Sequence, residues 1–184
     1  MSKSFRLKRN ETAAVVIDVQ EKLFPLIHEY DQLAKNMSIL IQGLKILGIP
    51  LLVTQQYTKG LGETVTAIKE AVGDYRHIEK MAFSCCGDEG FMSELRKLNK
   101  KNVILMGIES HVCVLQTALD LIAENFQPVL IEDCVSSRKP NDKRVAVKRI
   151  KQAGAIVSTY ESVLFELTEV SGTDLFKSIV KLIK

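Results

Sequence analysis

The chain has 184 residues, 46% of them apolar and 26% charged, with a formal net charge of +3. That length supports one domain with a full core, and lysines scattered along it exclude the basic tract of a nucleic-acid binder. No apolar stretch approaches the roughly 20 residues needed to span a bilayer, and the basic start, MSKSFRLKRNET, lacks the apolar core of a secretory signal.

In chain order, short apolar runs alternate with amphipathic segments. AAVVID (13–18) is a continuous β-branched run of the kind buried on both faces of a parallel sheet. A strand so close to the start, with Glu11 before it, argues against a mitochondrial presequence. A helix follows over 31–47, with Leu33, Met37, Leu40, Ile41, Leu44 and Leu47 in a 3.6-residue rhythm, and Gly48 stops it. IPLLVT (49–54) is the second strand, 63–72 a short helix and HIEK (77–80) a short third strand. A helix near 90–98, strand NVILMG (102–107), helix 113–124, strand PVLIED (128–133), helix 141–153, strand AIVST (155–159) and a C-terminal helix complete the pattern. Six strands alternating with helices predict a three-layer, doubly wound α/β fold, Rossmann-like, with a mainly parallel sheet. Neither a repeat nor a linker interrupts it, so residues 1–184 read as a single domain.

In such sheets ligands bind outside the carboxyl ends of the strands. Asp18 ends the first strand, Lys80 ends the third, and the fourth leads through Gly107 to Cys113 at the head of a helix. A carboxylate, an ammonium and a thiol on one sheet edge suit a cysteine nucleophile. A free thiol has a pKa of about 8.5, which a helix N-terminus and a neighbouring cation lower toward the thiolate. The carboxylate can accept the thiol proton and later activate water. Singly, each residue has an ordinary explanation: an aspartate capping a turn, a solvated lysine, a core cysteine. Their coincidence at three strand ends is what points to a site.

The remaining thiols read as structural. Cys85 and Cys86 in AFSCCG suit packing or loop lining, and Cys134 sits just past a strand end. The irregular spacing of all four cysteines matches neither a zinc site nor a disulfide framework, so reduced thiols in a cytoplasmic protein are expected. His111 has no second histidine near it in sequence, and no metal site is expected.

VVIDVQEKL (15–23), EKMAFS (79–84) and GIESHVCVLQTALDL (107–121), in this order, resemble the signature blocks of the isochorismatase-like cysteine hydrolases. EDCVSSR (132–138) resembles a further segment of that family, and the likeness runs from about Thr12 to Phe165. The resemblance implies a catalytic triad of Asp18, Lys80 and Cys113. It also implies a non-proline cis peptide at Ile108–Glu109, and an oxyanion hole formed by the backbone N–H groups of Glu109 and Cys113.

Departures from the family patterns narrow the expectation. Nicotinamidase-type members carry an aspartate and two histidines after the second strand, whereas VTQQYTKGLGET here contains no histidine. Neither a metal nor any other cofactor is therefore expected, nor nicotinamide as substrate. Isochorismatases proper need no cysteine nucleophile, so Cys113 argues for covalent chemistry on an acyl carbon. TQQYTKGLG (54–62) is similar to the isochorismatase-domain-containing subgroup, which commonly shows T-x-Q-Y-x-x-G-L-G.

The expected activity is hydrolysis of a small amide or related acyl compound through a thioester-type intermediate. Gln20, Tyr57 and Phe83, close to strand ends, are candidate pocket-lining residues. Other readings are a thiol redox or sensor protein using Cys113 with Cys85, and a binding scaffold of the same fold, against which the intact triad speaks. A small-molecule substrate is expected, without a nucleic-acid or membrane partner. Apolar residues on helix 31–47 and in SIVKLIK (178–184) further predict a homo-oligomer, at least a dimer.

Overall fold

The computed structural model describes residues 6–184, so the first five residues of the basic start lie outside the described residues. Six strands form one sheet: β1 (Thr12–Ile17), β2 (Leu51–Gln56), β3 (Ile78–Lys80), β4 (Asn102–Ile108), β5 (Gln127–Ser136) and β6 (Ile156–Ser158). Their spatial order is β3-β2-β1-β4-β5-β6, and every neighbouring pair is parallel. The order reverses between β1 and β4, which is the switch point where open α/β sheets hold ligands.

The connecting helices are α1 (Tyr30–Ile46), α2 (Thr58–Leu61), α3 (Thr66–Val72), α4 (Glu89–Lys97), α5 (Leu115–Ala123), α6 (Pro140–Gln152), α7 (Tyr160–Thr168) and α8 (Asp174–Ile183). Strand side chains alternate between two cores, as the two-residue strand period requires. Ala14, Val16, Ile104 and Met106 face one core with α1, α3 and α7. Ala13, Val15, Ile17, Val103 and Leu105 face the other with α4, α5 and α6. With both faces covered, all six residues of β1 are buried, hence its unbroken apolar run.

Several expectations are corrected. β5 runs ten residues, past the predicted end at 133, because a register shift lets Leu105 pair with Leu130 and Gly107 with Val135. Cys134 therefore lies inside the strand, fully buried, not beyond it. The C-terminal helix is two helices: Glu169 takes a left-handed φ of +68°, and the Thr173 hydroxyl then accepts from Phe176 N to cap α8. The α1 stripe of Leu33, Met37, Leu40, Ile41 and Leu44 is buried inside the first core, with Ile179 of α8 in the same cluster. That stripe consequently offers no free surface for self-association.

Gly107 is required where β4 passes β1. Its φ is +125°, and an added Cβ would lie 2.2 Å from the Ile17 carbonyl oxygen. This close approach sets the Asp18 turn beside the turn that carries Cys113.

Candidate active site

Asp18 directly follows β1 with a left-handed φ of +51°. It is 1% exposed, and Lys80 likewise. Asp18 Oδ2 lies 2.6 Å from Lys80 Nζ, and its Oδ1 accepts a 2.8 Å hydrogen bond from the Thr54 hydroxyl. Lys80 Nζ also reaches Gln56 Oε1 at 2.8 Å and the carbonyls of Ala82 and Phe83 at 3.1 and 2.9 Å. Four oxygens thus surround a group with three N–H bonds, so the ammonium is fully engaged.

Cys113 lies in a π-helical turn, Ser110–Val114, that opens onto α5, and its thiol lies within the electrostatic reach of Asp18 and Lys80. Burial pushes the Cys113 thiol up, Asp18 pushes it further, and Lys80 pulls back only in part. This corrects the expectation of a depressed thiol pKa. The Lys80 charge is already compensated by Asp18, and the thiol is withdrawn from water, so the resting group is the protonated thiol. Burial alone would lower Lys80, but attraction to Asp18, Cys85 and Cys113 holds it above its ordinary value.

The turn before Cys113 is anchored to the end of β5. The Ile108–Glu109 peptide is cis. The Glu109 carbonyl accepts from Val112 N and Val114 N at 3.1 and 3.2 Å. Its buried carboxylate accepts from Arg138 N and Nε at 3.0 and 3.1 Å. His111 Nδ1 lies 3.0 Å from the Ser137 hydroxyl.

Of the predicted lining residues, Tyr57 and Phe83 are exposed at 46% and 55%, and Met81, not foreseen, at 69%. Tyr57 N bonds the Lys80 carbonyl, and Phe83 supplies a carbonyl to Lys80 Nζ, so the backbone of both residues adjoins Lys80. Gln20 does not line an opening. It is fully buried, its amide donates to the Gln56 and Gly62 carbonyls, and its oxygen accepts from Gln56 N at 2.7 Å. It ties the Asp18 turn to the loop after β2.

Thr54, Gln56, Glu109 as a carboxylate, and Arg138 are contributions that the sequence pattern left unassigned. Thr54 had a signal in its place at a strand end, and Glu109 and Arg138 in lying within the segments 107–121 and 132–138. Among the described residues no three histidine, cysteine, aspartate or glutamate side chains converge as metal ligands, and no helix is long and apolar enough to cross a membrane. A cleft of about 230 Å³ lined by His28, Gln32, Asn36, Asp133 and Lys143 lies at the β5 end and includes none of the three predicted catalytic residues.

Residues 12–162 match the isochorismatase domain. The chain is 36% identical, over 97% of its length and 87% of the relative's, to a secreted isochorismatase effector of Phytophthora sojae. The structure of the MAR1 ribonuclease from Caenorhabditis elegans superposes with a TM-score of 0.90 at 39% identity, covering 97% of this chain and 92% of that one. That of YcaC from Escherichia coli, described as an octameric hydrolase of unknown specificity, gives 0.92 at 26% identity, covering 100% and 91%.

Proposed function

The chain belongs to the isochorismatase family, and from that premise we propose that it is a hydrolase of small amides or related acyl compounds with Cys113 as nucleophile. The observation carrying this is the buried Asp18 carboxylate, pinned by Thr54 on one oxygen and Lys80 on the other, with the Cys113 thiol beside the pair. A protonated thiol beside a fixed carboxylate needs base assistance at the moment of attack rather than a standing thiolate.

Asp18 takes the thiol proton as Cys113 Sγ bonds to the substrate carbonyl carbon. The backbone N–H groups of Glu109 and Cys113 are the proposed donors to the resulting oxyanion. Collapse breaks the C–N bond, and the amine leaves with the proton held by Asp18. Asp18 then takes a proton from water, whose oxygen attacks the thioester. Collapse releases the carboxylic acid and returns the proton to the thiol. Lys80 and Thr54 hold Asp18 in one orientation in its buried place. Tyr57 and Phe83 flank the acyl or amine portion of the substrate, and Gln20 holds the loop that carries Tyr57.

The name of the Caenorhabditis elegans neighbour raises ribonuclease chemistry as the rival. Phosphodiester cleavage calls for cations free to meet phosphate. Here Lys80 is enclosed by four oxygens and Arg138 is committed to Glu109. An amide and ester panel run beside a single-stranded RNA separates the two: turnover of the panel, lost in Cys113→Ala, supports the hydrolase. RNA cleavage that survives that substitution refutes it.

We also propose a homo-oligomer, at least a dimer, with Tyr57, Met81 and Phe83 as an apolar rim covered by a second copy; the octameric Escherichia coli neighbour supports assembly. Light scattering should give at least twice the 20.6 kDa chain mass.

A further inference from the structure

We propose that Thr54, supported from behind by Cys85, is a positioning residue that orients Asp18 toward Cys113. This rests on Asp18 being the base and Cys113 the nucleophile.

Thr54 holds Asp18 at two points. Its carbonyl accepts from Asp18 N at 3.3 Å, and its hydroxyl donates to Oδ1 at 2.8 Å. The hydrogen must run that way, because a carboxylate only accepts. The Thr54 oxygen then keeps lone pairs free, and Cys85 Sγ lies 3.8 Å from it. Burial raises the Cys85 thiol to about 11, so it is a donor throughout the neutral range. The directions are therefore fixed: Cys85 S–H donates to Thr54, whose O–H donates to Asp18. Cys85 N in turn donates at 2.9 Å to the Thr117 hydroxyl, on the helix that follows Cys113 by one turn. A buried polar chain thus joins the nucleophile's helix to the far side of the base.

Thr54 is fully buried in a β-strand, where valine has the same shape without a polar atom to satisfy. A buried hydroxyl there is explained by what it donates to. With Lys80 on Oδ2 and Thr54 on Oδ1, the carboxylate is held against rotation by a donor on each oxygen. Cys85 accordingly acts as a second-rank donor, not as a redox partner.

The test uses iodoacetamide, with Cys113 alkylation followed by peptide mass spectrometry as a function of pH. Comparing Thr54→Ala with Thr54→Ser isolates the hydroxyl, since both lack the methyl group. Thr54→Ala should move the acid limb of the Cys113 rate profile upward by about one pH unit and slow alkylation about tenfold below it. Thr54→Ser should restore the wild-type limb. Cys85→Ala should shift the limb less, in the same direction, and serves if Thr54→Ala does not fold; Cys85→Ser should not shift it. Identical limbs in the alanine and serine variants would overturn the proposal. If Asp18→Asn leaves the limb unchanged, the role of Asp18 as base is what fails.

Discussion

Lys80 Nζ lies 2.6 Å from Asp18 Oδ2, and both side chains are withdrawn from solvent. Removing one member leaves the other charge buried and uncompensated, which costs about 3–5 kcal/mol, whereas removing both can be far milder. Lys80→Met and Asp18→Asn should each lower unfolding stability by amounts of that order. The double variant should lose clearly less than the sum. Urea unfolding checks this, and additive losses would mean that the pair is not energetically coupled.

Gly107→Ala should be severely destabilising, by at least about 3 kcal/mol. The new Cβ meets backbone of β1 at 2.2 Å, at a φ that an alanine rarely adopts, and no flexible side chain can move aside. A thermal melt showing near wild-type stability would contradict the tight β1–β4 contact.

Arg138→Ala should cost about 1.5–3 kcal/mol, because the buried Glu109 carboxylate loses a charged donor and keeps only the backbone one. Adding Glu109→Gln should recover part of that loss by removing the stranded charge. Both effects are read from unfolding midpoints, and no recovery would show that the two residues act independently.

Stability should fall as the medium turns alkaline. The Cys85 thiol is raised to about 11 by burial, and Lys80 is also raised. Above a pH of about 8.5 the unfolded chain loses thiol protons that the folded chain retains. The folded state then binds more protons, so stability decreases with rising pH, through a window ending near 11 for Cys85. Urea midpoints taken across that window should drop, and Cys85→Ala should flatten the drop.

The strands were legible because burial on both faces leaves continuous apolar runs such as AAVVI and NVILM. The end of β5 was not, because Glu132 and Asp133 break the run exactly where the register shifts, yet Cys134 and Val135 return to the interior. The break between α7 and α8 was hidden because apolar residues recur on both sides of it. Asp18, Lys80 and Cys113 could be picked out by position, since a parallel sheet brings its strand ends to one edge. What their environment does to them could not. The protonated state of Cys113 depends on Lys80 being already neutralised by Asp18, and Gln20 is excluded from the pocket by backbone partners at residues 56 and 62. Both are matters of distance across the fold.

The most direct measurement of the central claim is rapid-quench mass spectrometry of the protein with p-nitrophenyl acetate, followed by peptide mapping. An acetyl group should appear on Cys113 alone, within the burst of p-nitrophenol release, and then decay as water completes the turnover. Cys113→Ala should show neither burst nor adduct. Undiminished burst release in that variant, or acetylation at Cys86 or a surface lysine in place of Cys113, would contradict the account.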